Sequence, residues 1–137
     1  MNSQNFASIL PSRPEPDPSE IHHQIQLIVR AVAFRIDCPE KAILCRSDRL
    51  RNDPASYLVL WLIDSLVECS YPYLANYFHL PIGEIRRLTQ CAVTSIATHI
   101  SDCTDLGQTA IAMQAELGYK LDQSFWSHTS IFVPLIL

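Results

Sequence analysis

Glycine is scarce in this chain, with three residues in 137. A sheet-rich fold built on tight hairpins draws on glycine for its positive-φ turn positions, so the scarcity counts against one. Charge is thin as well: 18% of residues are charged, and 14 acidic against 10 basic residues give a formal net charge of −4. A protein held on nucleic acid mainly by non-specific phosphate neutralisation is usually basic, so that mode is disfavoured, although a local basic face is not. No apolar run reaches the roughly 18–20 residues of a membrane-spanning helix. Residues 1–12 lack the basic start and apolar core of a secretory leader. No CxxC pair occurs, and the cysteines (Cys38, Cys45, Cys69, Cys91 and Cys103) are odd in number. That pattern predicts free thiols in a reducing compartment, with the cytoplasm as the expected location.

What the chain has is apolar residues at helical spacing. The hydrophobic fraction is 48%, enough for one domain with a real core. Residues 19–38, 55–71 and 84–106 contain neither glycine nor proline, and their apolar positions recur every three or four residues. The first 18 residues are polar and carry Pro11, Pro14, Pro16 and Pro18, which predicts an extended N-terminal arm. Ser19 is then the expected N-cap of a helix running to about Arg35, with Ile21, Ile25, Ile28 and Val32 inward and Leu27, Ala31 and Phe34 widening the stripe. Asp37, Cys38 and Pro39 end it, and a short helix follows through Leu44. Asp53 before Pro54 is a capping side chain followed by a proline suited to the first helical position. The helix it starts, 55–69, is apolar nearly all round and is expected to be central. The predicted fold is all-α: a small helical bundle over 19–137.

Residues 71–90, YPYLANYFHLPIGEIRRLTQ, fit a helix-turn-helix. That motif needs a small residue where its helices cross, here Ala75, and inner apolar positions on the first helix, here Leu74 and Phe78. It needs a turn residue tolerant of a left-handed backbone and then a buried apolar one, here His79 and Leu80; histidine is among the better-tolerated substitutes for glycine. Ile85 and Leu88, three apart, supply the inner face of the second helix. The alternative is an ordinary helical hairpin of a bundle. If the motif reads double-stranded DNA, its second helix begins near Ile82, its exposed candidates are Pro81, Gly83, Glu84, Arg86, Arg87 and Gln90, and the DNA-contacting ones are Gly83, Arg86, Arg87 and Gln90. Arg86 and Arg87 suit phosphates or guanine edges, whereas Glu84 repels phosphate.

The order of parts resembles the C-terminal DNA-binding domain of the bacterial replication initiator DnaA over roughly residues 21–100. A first helix ending in an aromatic (AVAFRI), a short helix (KAIL), an arginine-bearing connection (RSDRLR), a long apolar helix (ASYLVLWLIDSL) and the helix-turn-helix (SYPYLANYF, then IRRL) follow one another as they do there. The resemblance implies that Arg46, Arg49 and Arg51 grip the DNA backbone while the second helix of the motif reads sequence. Ser56 stands where that family usually carries an arginine. Leu80–Glu84 (LPIGE) replaces its Arg-Asp-His-Ser/Thr-Thr run, so the box sequence of the initiator is not the implied target. No GxxxxGK[ST] loop occurs, and the initiator's nucleotide-binding module has no counterpart.

Farther on, 92–100 continues the second helix, 102–105 turns, and 106–121 forms a last amphipathic helix with Ile111, Ala112, Ala115 and Leu117 as packing candidates and Gly107 and Gly118 weakening its ends. The apolar residues 131–137 are expected to pack on the domain or to meet a second subunit. His22 and His23 are adjacent and so diverge on a helix, and no cysteine set has zinc-ligand spacing; no metal, cofactor or catalytic group is expected. Asp64 and Glu68 read as a solvated i, i+4 strip. The function predicted from these features is a DNA-binding regulator that is not an enzyme. The alternative is a protein-interaction module, as a homodimer or with another partner, that keeps the fold without the DNA.

Overall fold

A computed structural model describes residues 18–43 and 53–127, with side chains placed through Leu121. Every regular element among the described residues is helical: α1 (Pro18–Ile36), a single 3-10 turn (Glu40–Ala42), α2 (Pro54–Leu66), α3 (Tyr71–Phe78), α4 (Ile82–Ser101) and α5 (Asp105–Ser127). No helix among them is long and apolar enough to cross a membrane. The N-terminal arm, the connection holding Arg46, Arg49 and Arg51, and the apolar residues 131–137 lie outside the described residues.

Helix α1 buries Ile21, Ile25, Ile28, Val29, Val32 and Ala33, an i, i+4, i+7, i+11 stripe. Pro18 already belongs to the helix, so Ser19 sits inside the first turn and is not its cap. Phe34, expected to widen the stripe, is 88% exposed, because at 100° per residue it lies on the side of α1 opposite Ile21, Ile25 and Ile28. Asp53 caps α2 as the sequence predicts: its Oδ1 accepts from the Ala55 amide at 3.0 Å, with Pro54 at the first helical position. Helix α2 is the central element and buries Leu58, Val59, Leu60, Leu62 and Ile63. It stops at Leu66, short of the expected 69, because Val67 is extended (φ −119, ψ 132) and buries its side chain from that conformation.

Three helix ends use a left-handed residue that is not glycine: Asp37 (φ 63), His79 (φ 59) and Cys103 (φ 57). None of the glycines has positive φ. At the last of these corners Thr104 caps α5, its Oγ1 accepting from the Gly107 amide at 3.1 Å while His99 Nδ1 lies 2.8 Å away. Gly107 does more than weaken the helix end. It is buried, and a Cβ there would lie 2.2 Å from the His99 carbonyl oxygen, so its bare Cα lets α5 cross directly on α4. Helix α5 packs through Ala110, Met113, Leu117 and Leu121, whereas Ile111, Ala112 and Ala115 are exposed. Leu117 is buried as expected, and the other three expected positions miss the packed face.

Candidate nucleic-acid interface

The candidate site is the α3–α4 pair. Ser70 caps α3, its Oγ accepting from the Tyr73 amide at 3.3 Å. Pro72 sits in the first turn, where its missing N–H costs no helical bond. The helix runs only eight residues before His79 enters the left-handed region (φ 59, ψ 44). The amides of His79 and Leu80 both donate to the Ala75 carbonyl, which closes the turn. Ala75 is buried where α3 meets its neighbours, and Leu74 is buried beside it. Pro81 then precedes α4, and its carbonyl accepts from the Ile85 amide at 3.0 Å. Ile85, Leu88, Thr89, Ala92 and Ile96 anchor α4 against the core.

That anchoring fixes what α4 presents outward. Gly83, Arg86, Arg87 and Gln90 are all exposed, and at 100° per residue they fall within about a third of the helix circumference, opposite the buried stripe. The four described residues proposed from sequence are therefore brought together on one open face. Thr94 continues it for another turn. Nothing lies within 4 Å of the position a Gly83 side chain would take, so packing does not demand glycine there.

Both arginines have partners that the sequence reading missed. The Arg87 guanidinium donates to Glu84 Oε2 at 2.6 Å, an i, i+3 pair, and that hydrogen bond pushes the arginine's pKa still higher. Arg86 lies over the Tyr71 ring, with Cζ 5.4 Å from the centroid, a cation–π contact that ties the start of α3 to α4. The first partnership was legible as Glu and Arg three apart; the second required the helix crossing. Ser56, in the position that carries an arginine in the resembled family, is fully buried, and its Oγ lies 3.5 Å from Asp53 Oδ2. It offers nothing to a phosphate.

Beside the pair, the His22 ring packs tilted against Tyr77 with centroids 5.1 Å apart, and Tyr77 packs edge-on against Phe78 at 4.7 Å. His22 thus braces α1 against α3. Among the described residues no group of three or more His, Cys, Asp or Glu side chains could hold a metal ion. Cys69 lies in a groove with Asp64, Glu68 and Thr89, and burial with the nearby Asp64 charge raises its thiol pKa to about 11. That makes it a poor nucleophile near neutrality. No protein-family model matches the chain, and no curated protein or solved structure matches it.

Proposed function

We propose that the protein is a DNA-binding regulator that presents the first turns of α4 to double-stranded DNA. The observation that carries this reading is the co-facial exposure of Gly83, Arg86, Arg87 and Gln90 on a helix held by a left-handed turn at His79. In this arrangement Arg86 and Arg87 contact phosphates or guanine edges, Gln90 reaches a base edge, and Gly83 lets the backbone approach closely. Arg46, Arg49 and Arg51 add backbone contacts as the resemblance to the initiator domain implies. With Leu80–Glu84 so poor in hydrogen-bonding groups, sequence preference comes mainly from DNA shape.

The test is fluorescence anisotropy with random-sequence duplex at low and moderate salt. Arg86→Ala with Arg87→Ala should weaken binding and reduce the log–log salt slope by roughly 2, about one unit per phosphate contact removed. An unchanged slope would remove α4 from the interface.

A second reading, a protein-interaction module without DNA binding, is favoured by the net charge of −4 and by the Glu84–Arg87 pair, which occupies one of the two arginines. Absence of duplex binding even at low salt would select it.

A further inference from the structure

The exposed Phe34 forms part of a groove of about 390 Å³ between α1 and α5. Its apolar lining is Leu27, Ala31, Phe34, Met113 and Leu117, and cations rise on both walls: Arg30 and Arg35 from α1, Lys120 from α5. We infer that this groove docks an acidic amphipathic helix of a protein partner, separately from the α4 face.

Length and spacing suit a helix. Leu27, Ala31 and Phe34 on one wall, and Met113, Leu117 and Lys120 on the other, each run from i to i+7, about 10 Å or two helical turns. An incoming helix with apolar residues at i, i+3 or i+4 and i+7 fills such a slot, and Phe34 supplies the aromatic anchor.

Charge selects the occupant. Glu116 is shared between Arg35 at 3.9 Å and Lys120 at 3.6 Å, while Arg30 lies 3.8 Å from Glu40. These pairs are long and about half exposed, so each contributes little and is readily exchanged for a better carboxylate. Among the described residues these three cations face two carboxylates, a local positive excess on a protein whose net charge is −4, and such an excess steers an acidic partner. A second copy paired about a two-fold axis would set these cations against one another. The chain's own apolar residues 131–137 carry no charged side chain and would leave the rim unused.

The test uses the full chain and two labelled, end-blocked peptides with leucine and phenylalanine at helical spacing, one with glutamate and the other with lysine at every polar position. Anisotropy should show the glutamate peptide binding, more weakly as salt rises, with the lysine peptide at least about tenfold weaker. Phe34→Ala should cost about tenfold or more. Its exposure protects the fold, which circular dichroism verifies. Arg35→Glu with Lys120→Glu should abolish the preference for the glutamate peptide. Arg86→Ala with Arg87→Ala should bind the peptide as the unaltered chain does, which separates this surface from the proposed DNA face. Equal binding of both peptides, or no binding of either, would overturn the inference. So would a concentration-dependent dimer in sedimentation that Phe34→Ala abolishes, because a second copy would then own the face.

Discussion

Replacing Gly107 by alanine drives a methyl carbon into backbone atoms. The added Cβ would lie 2.2 Å from the His99 oxygen, 2.5 Å from the His99 carbonyl carbon and 2.7 Å from the Ile100 nitrogen. Carbon needs roughly 3.5 Å or more from such neighbours, so α5 must back away from α4 by about 1 Å. No flexible side chain can give way. Overpacking of this kind costs about 1–3 kcal/mol, and contact with backbone places it at the upper end. Alanine recovers about 0.5–1 kcal/mol through its better helix propensity. The expected net loss is about 2 kcal/mol, or roughly 6–8 °C in melting temperature for a chain of this size. Gly83→Ala is the matched control. That position is open, so the same substitution should stabilise by about 0.5 kcal/mol. Urea unfolding followed by far-UV circular dichroism measures both. If the two variants shift stability in the same direction, or if Gly107→Ala matches the unaltered chain, the close crossing of α4 and α5 is wrong.

Glu84→Gln removes the carboxylate bonded to Arg87 at 2.6 Å and should tighten random-duplex binding by roughly twofold to fivefold at low salt; weaker binding in the same anisotropy assay would show that Glu84 positions the arginine productively. His79→Gly relieves a left-handed Cβ that costs about 1–2 kcal/mol and gives back part of it in unfolded-chain entropy, so a gain of roughly 0.5–1 kcal/mol in urea unfolding is expected, and a loss would mean that the imidazole itself supports the turn. Cys69 keeps its proton in the folded chain up to about pH 11 because of burial and Asp64, whereas an unfolded thiol releases it near pH 8.5. The unfolded state therefore binds fewer protons between those values, and stability falls as pH rises through that window. Cys69→Ser should make the decline shallower, measured as urea midpoints at neutral and alkaline pH. Tyr77 and Cys38, also shifted upward mainly by burial, should keep it from vanishing.

Local chemistry made much of this fold legible. Asp53 before Pro54 and the tolerance of His79 for positive φ are properties of one or two residues, and they mark helix ends where the structure has them. The outward set Gly83, Arg86, Arg87 and Gln90 followed from the period of a single helix whose inner face was already defined by Ile85 and Leu88. What sequence could not give depends on a neighbour. Ile111, Ala112 and Ala115 are as apolar as Ala110 and Met113, and only the approach of α4 at Gly107 decides which set is buried. Phe34 is different, because at 100° per residue it lies opposite Ile21, Ile25 and Ile28 on α1, so its exposure follows from the helical period itself. Arg86 over Tyr71 joins residues from two helices and carries no sequence mark.

Under the DNA-binding reading, the competition between DNA and the arginines' present partners turns on what each contact surrenders. The Glu84–Arg87 pair is solvent-accessible and lies within one helix, so its attraction is screened by water and salt even at 2.6 Å. A duplex presents one charge per roughly 1.7 Å of axis and releases condensed counterions when a cation arrives, a gain that an isolated carboxylate cannot match. Arg87 can therefore exchange Glu84 for phosphate, although the repulsion between Glu84 and the backbone remains as a tax on the complex. Arg86 faces a softer choice, because what it would surrender is a cation–π contact with Tyr71 and not a charge-assisted hydrogen bond. Arg86 has no ion pair to break among the described residues, while Arg87 must first give up its bond to Glu84. Under the DNA-binding reading the two residues should differ: Arg86→Ala alone should cost more affinity than Arg87→Ala alone, because only the second change also frees the complex from an ion pair it has to break.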